Sequence, residues 1–192
     1  MTKSFSLSVA DVSKSFGPTR AVIDVSLDFR AGEIHGLIGE NGSGKSTLLS
    51  MIAGIHTRDK GQMLKGGQPY DPVSPAHANE QGVSMVVQEL GLVDGLTVAE
   101  NIFLGKTDQF ANRGVINLRK MHRAAEEAFA AWGISQVPLD VFASSLTVEE
   151  KKLVELVRAL STDPDVLILD EITAAFSHNN RTALYKLLAK LK

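Results

Sequence analysis

The chain has 192 residues, 44% of them apolar, which suits a globular domain with a sizeable core and excludes a disordered chain. The formal net charge of −2 gives no broad basic field for nucleic acid. The absence of cysteine excludes a disulfide framework and thiolate metal sites.

The N-terminal stretch lacks the apolar h-region of a signal peptide. The longest apolar runs, such as VLIL at 166–169, are too short to cross a bilayer. A soluble protein is expected, held at a membrane only through a partner. Strand-like runs come first: SFSLSVADV, then AVIDVSLDF, then EIHGLIG. In the second, Val22, Asp24, Ser26 and Asp28 alternate with Ile23, Val25, Leu27 and Phe29, a period of two that predicts half-buried antiparallel strands. EIHGLIG is almost continuously apolar and predicts a buried strand.

A helical pattern begins at Ser46, carries Leu48, Leu49, Ile52 and Ala53, and closes at Gly54. Residues 60–82 read as turns with a short strand, and VSMVVQ (83–88) as a second buried strand. From 96 to 162 the chain is mainly helical. RKMHRAAEEAFAAWG (119–133) places Met121, Ala125, Ala128 and Trp132 at helical spacing before Gly133, and VEEKKLVELVRAL (148–160) places Leu153, Leu156, Val157 and Leu160 on one face. In front of the latter, Thr147 and Glu150 form a capping box. DVLILD (165–170) predicts a buried strand, and a last helix runs over roughly 179–192. Strands alternating with helices imply a parallel α/β sheet, with an antiparallel β part ahead of it and a helical insert in its middle.

GENGSGKST (39–47) fits the phosphate-loop pattern, between an apolar strand and a helix. Gly39, Gly42 and Gly44 permit a tight backbone whose N–H groups, with those of Asn41, Ser43 and the helix start, can surround polyphosphate. Lys45 would meet the β- and γ-phosphates, Ser46 would offer its hydroxyl to Mg²⁺, and Thr47 would support the α-phosphate side. At the C-terminal end of VLIL, Asp170 is placed to hold Mg²⁺ through water, and Glu171 to orient or deprotonate the attacking water.

Taken in order, these elements resemble the nucleotide-binding subunits of ABC transporters over essentially the whole chain. The resemblance implies a P-loop NTPase with a RecA-like parallel core, an N-terminal antiparallel β-subdomain and an inserted helical subdomain. It implies an ATP-binding core at 1–89 and 163–192 and a helical subdomain at 90–162. Phe16 matches the family's adenine-stacking aromatic. Gln88, in MVVQEL, matches the glutamine that reaches Mg²⁺ and the attacking water. ITAAFS (172–177) resembles the loop after the catalytic glutamate, with Ile172 where the family commonly has proline.

GLTVAENIFLGK and VQELGLVDGLTV are similar to the carbohydrate-import branch, the ribose- and galactose-type tandem ATPases. That resemblance implies ATP and Mg²⁺ as cofactors and a place on the cytoplasmic face of the membrane. It implies as partners a second nucleotide-binding half, membrane permease subunits and an indirectly linked extracytoplasmic solute-binding protein, with no nucleic acid. It reads the chain as an N-terminal half cut before the switch histidine. A soluble ABC ATPase of translation or repair, and a low-turnover regulatory half, are the alternative classes. The departure from the family lies in Leu146, Thr147, Val148, Glu149 and Glu150, which stand where the signature Leu-Ser-Gly-Gly-Gln is common. Glu149 replaces the second glycine, where the backbone is expected to approach the γ-phosphate of ATP held by the other half. A side chain with a carboxylate there is expected to impair that second site.

Overall fold

The structure is a computed structural model that describes residues 5–87, 91–112, 114–134 and 137–191. Its contacts divide it into one unit of residues up to 85 plus 164–170, and another of residues 86–163 plus 171–191. Residues 171–191, expected with the ATP-binding core, group by contact with the second unit.

The first unit begins with a long hairpin, β1 (Phe5–Phe16) and β2 (Thr19–Arg30). Next come α1 (Lys45–Ile52), β3 (Lys60–Lys65), β4 (Gln68–Pro69), α2 (Pro75–Glu80) and β5 (Val83–Val86). The antiparallel β part expected at the N-terminus is present as a four-stranded sheet in the order β2-β1-β3-β4. The alternation along β2 changes face partway. Val25, Leu27 and Phe29 pack partly against the core, but at the other end Val22 is buried and Ile23 is 48% exposed. The cause is an irregularity in the pairing at Asp24, whose φ is +46°. An extra residue in one strand reverses which side chains face inward. Ser13 holds the irregularity, its Oγ accepting from Asp24 N–H and donating to the Asp24 carboxylate, both at 2.9 Å.

Helix α1 presses Leu48, Met51 and Ile52 into the core beside Val9 and Met63. The run EIHGLIG departs from expectation: residues 33–40 form no strand, and Ile34 and Ile38 are 60% and 95% exposed. A strand exists through its backbone pairing, and apolar content alone does not supply a neighbour. Among the described residues, β5 pairs with β8 (Val166–Leu169), and 33–40 is paired into no sheet.

The second unit is mostly helical: α3 (Val98–Ile102), α4 (Leu118–Trp132), α5 (Val148–Leu160) and α6 (His178–Leu191), with a small hairpin of β6 (Ala111–Asn112) and β7 (Val115–Ile116). Helix α4 ends on Gly133 at φ +63°, as its sequence predicts. Its buried face is Met121, Ala125 and Phe129; the bulkier Phe129 takes the place expected for Ala128, and Trp132 is only partly covered. Helix α5 buries Leu153, Leu156, Val157 and Leu160 as expected, and also Lys152 and Glu155.

That buried pair is fully engaged. Lys152 Nζ donates to Glu155 Oε2 at 2.8 Å and to the Val87 carbonyl at 2.7 Å. Glu155 Oε1 accepts the Gly91 N–H, and Arg158 donates to the Gly91 carbonyl at 2.9 Å. The charged side chains of α5 therefore hold the backbone at Val87 and Gly91, on either side of Gln88, which lies outside the described residues.

The starts of α1 to α5 obey one rule with one exception. Ser74, Thr97, Asn117 and Thr147 each accept a backbone N–H with their side chains at the starts of α2, α3, α4 and α5. At α3 and α5 the glutamate three residues on completes a capping box. Helix α1 starts on Gly44, with no side-chain cap and no acidic residue in its first turn.

These contacts set two expected stability changes. Thr147→Ala removes the cap of α5 and is expected to cost about 1 kcal/mol in urea unfolding. Lys152→Met strands a buried carboxylate and is expected to cost roughly 3 kcal/mol or more, with the double variant Lys152→Met/Glu155→Leu recovering much of the loss.

Candidate functional site

The uncapped start of α1 is where the phosphate-loop residues gather. Gly44 has φ +88°, and a Cβ on it would lie 2.2 Å from the Ala21 carbonyl oxygen of β2. Only glycine therefore lets the loop rest against the sheet and turn into the helix. Gly42, at φ +80°, also needs left-handed backbone, and Ser43 N–H closes the turn onto the Glu40 carbonyl at 3.2 Å. At Gly39 a Cβ would come within 2.8 Å of Ser43 Oγ, so the loop's two sides approach closely.

Lys45 folds back over the loop. Its Nζ donates to the Gly39 and Glu40 carbonyls at 2.9 and 2.8 Å and to Ser43 Oγ at 3.4 Å. The ammonium is thus held at the mouth of the turn, beside a helix start that no side chain among the described residues caps. Asn41, Gly42 and Ser43 are exposed, Ser46 is exposed, and Thr47 is partly covered. A loop too tight for a Cβ at Gly44, a bare helix start and a positioned lysine together fit a polyphosphate anion.

In the same unit, Asp170 comes directly after β8 and is 8% exposed. Phe16, at the end of β1, is 43% exposed, which removes it from the core. Its ring meets His56 edge-on at a centroid distance of 5.1 Å, and Lys14 Nζ lies 5.5 Å from the ring centroid.

In the second unit, Glu171 has φ +51° and stands at the start of a 3₁₀ turn, Ile172–Ala175. The left-handed backbone is unfavourable for a residue with a Cβ, costing about 1–2 kcal/mol. Burial of the adjoining turn holds it there, since Ile172 and Phe176 are 3% and 5% exposed. Ile172, at the position where the family commonly carries proline, is thus an apolar anchor for the turn. Gln88 lies outside the described residues, so its part in the site rests on sequence.

Glu149, the residue out of pattern, does not stand isolated. Its Oε1 accepts the backbone N–H of Ser177 at 2.6 Å and the Asn180 side-chain amide at 2.7 Å. The Asn180 amide, and after it Ser177, hold the Glu149 carboxyl below the usual glutamate range. Sequence reading missed Ser177 and Asn180 as its partners, because nothing local links residues so far apart in the chain. Glu150, its neighbour, turns back to Thr147 N–H at 2.8 Å in the capping box.

Comparison with known proteins identifies the family. The ABC transporter family model matches residues 22–174. The ribose import ATP-binding protein RbsA of Rhodococcus jostii (strain RHA1) is 44% identical over 185 residues, spanning 96% of this chain and 36% of that protein. RbsA of Bacillus subtilis (strain 168) is 36% identical over 186 residues, 97% of this chain and 37% of its own length. The chain thus spans little more than a third of the curated relatives it matches. Among solved structures, a nucleotide-free ATP-binding cassette from an ABC transporter superposes with a TM-score of 0.79 at 26% identity, covering 97% of this chain and 77% of that one. The ADP conformation of MJ1267, an ATP-binding cassette of an ABC transporter, superposes at 0.75 and 26% identity, covering 99% and 77%. A glycine-bound loop that clasps its own lysine at a bare helix start, and a sequence match over most of the length, place the chain in the ABC transporter family.

Proposed function

We propose that the chain is the ATP-binding and hydrolysing half of an ABC importer ATPase that energises uptake of a sugar through a membrane permease. The observation that carries this reading is the phosphate loop, in which Lys45 is already drawn over the turn ahead of an uncapped helix. The import role and the sugar rest on the similarity to ribose import proteins. The partners are a second nucleotide-binding half and permease subunits, with a solute-binding protein acting through the permease. The working place is the cytoplasmic face of the membrane. No helix among the described residues is long and apolar enough to cross it.

Bound Mg-ATP supplies the phosphoanhydride bond to be broken and the divalent charge that spreads over its oxygens. The backbone N–H groups of Asn41, Gly42 and Gly44 would bind the phosphate chain, helped by the positive end of α1, and Ser43 N–H would exchange the Glu40 carbonyl for it. Lys45 exchanges the carbonyls of Gly39 and Glu40 for phosphate oxygens. Ser46, Asp170 and Gln88 would hold Mg²⁺, in part through water, and Thr47 would support the α-phosphate side. Phe16 offers an exposed ring face for adenine. Glu171, with its carboxylate on a strained, anchored backbone, orients the attacking water or takes its proton. The face that begins at Thr147 belongs to ATP held by the other half, and Glu149 weakens that second site.

Titration calorimetry tests the loop. Lys45→Ala is expected to weaken Mg-ATP binding roughly tenfold or more, the scale of a charge-assisted contact. Turnover tests the chemistry: the chain by itself is expected to bind Mg-ATP weakly and hydrolyse it slowly, with Glu171→Gln retaining the binding. Brisk hydrolysis by the pure chain that disappears in Lys45→Ala would overturn the need for a second half.

A further inference from the structure

Glu149 sits in the first turn of α5, and its carboxylate reaches the start of a second helix. Ser177 accepts Arg181 N–H at 2.9 Å through its carbonyl, the first bond of α6, while its own N–H is given to Glu149. Asn180 lies in the first turn of α6 and donates to the same carboxylate oxygen. One anionic side chain thus serves the N-terminal ends of two helices, where negative charge is favourable. The oxygen of Glu149 thus meets the N–H just ahead of α6 and a side chain in its first turn, from another element, whereas the caps of α2 to α5 come from the residue just before each helix.

The segment from Glu171 to Ser177 is short and tightly turned. It opens at Glu171, whose carbonyl accepts Ala174 N–H at 3.4 Å, continues with Phe176 N–H to the Thr173 carbonyl at 3.3 Å, and closes at Ser177. Ile172 and Phe176 fix it by burial. Those 3₁₀ bonds are long, and bonds of this length are weak. The short polar attachment of the segment is the bond from Ser177 N–H to Glu149 at 2.6 Å, which Asn180 joins from the first turn of α6.

We propose that Glu149 is a positioning residue: its carboxylate ties the start of α5 to Ser177 and Asn180 and thereby fixes the turn that carries Glu171. The residue out of pattern in the signature thus acts within its own half, on the placement of the water-orienting carboxylate. This rests on the reading of Glu171 given above. Charge keeps the tie in place. A carboxyl held below its ordinary value contributes above that value and is lost as pH falls through the lowered one, so the tie persists across the neutral range. Nearby in sequence on the two helices stand Glu150, turned to Thr147, Lys151, paired with Asp94, and Lys152, paired with Glu155, on α5, and His178 and Arg181 on α6.

Amide exchange and carboxyl titration by NMR on the 192-residue chain test the tie without requiring turnover. Glu149→Ala is expected to speed exchange at Ser177 roughly tenfold or more, and to speed it at Ala174 and Phe176 as well. Glu149→Gln keeps an acceptor without the charge and is expected to recover part of the protection. Asn180→Ala is expected to raise the Glu149 midpoint toward the ordinary 4.5. Unchanged protection of α5 over Leu153–Leu160 separates local release from unfolding. If Ser177 loosens while Ala174 and Phe176 do not, Glu149 only caps α6 and the proposal fails; if none of the three changes, it also fails. Mg-ATP binding by the wild type and by Lys45→Ala is a separate readout. Loss of the ATPase reading would leave these exchange rates where they are.

Discussion

Backbone N–H groups at a helix start point along the axis with no partner inside the helix, and each must find an oxygen elsewhere. That constraint organises the chain. Serine, threonine or asparagine supplies the oxygen at α2, α3, α4 and α5, and a glutamate from another helix takes the N–H of Ser177, the residue just ahead of α6. At α1 no described side chain does so, and glycine takes the place of the cap. This uncapped start is the one whose lysine is bent over the turn. A helix start left without a side-chain cap, where α2 to α5 each have one, is a place prepared for an external anion.

The distribution of acid obeys the same logic. The first turn of α1 has no acidic residue, whereas α5 opens with Glu149 and Glu150. Each glutamate is committed inside the protein, one to Ser177 and Asn180 and the other to Thr147. A phosphate approaching α5 would meet these carboxylates, while the first turn of α1 offers N–H groups and the Lys45 ammonium and no acidic side chain.

Much of this was legible in the sequence where the determining signals are local. The capping box at Thr147 and Glu150, the C-terminal glycine of α4 and the apolar face of α5 depend on residues within a turn or two. The phosphate loop is legible for the same reason, since its glycines and lysine act within one turn. Pairing is different. EIHGLIG has the composition of a buried strand, but a strand needs a neighbour that its own residues do not encode. The change of face in β2 escaped for a related cause, because a bulge at Asp24 depends on Ser13 in the opposite strand. Glu149 could be seen as anomalous but not as engaged, since its partners lie 28 and 31 residues further on.

Helix α5 is wired at more than its first turn. On its buried side Lys152 and Glu155 grip the Val87 carbonyl and the Gly91 N–H, and Arg158 grips the Gly91 carbonyl. An α-helix of 13 residues is stiff over its whole length of about 20 Å. Ion pairs buried with all their partners satisfied do not stretch to absorb a shift, since a small displacement leaves a charge uncompensated. Helix α5 is consequently a lever with its ends attached to different backbones. A tilt of α5 would therefore load its bonds to the backbone at Val87 and Gly91 and, at its first turn, those from Glu149 to Ser177 and Asn180.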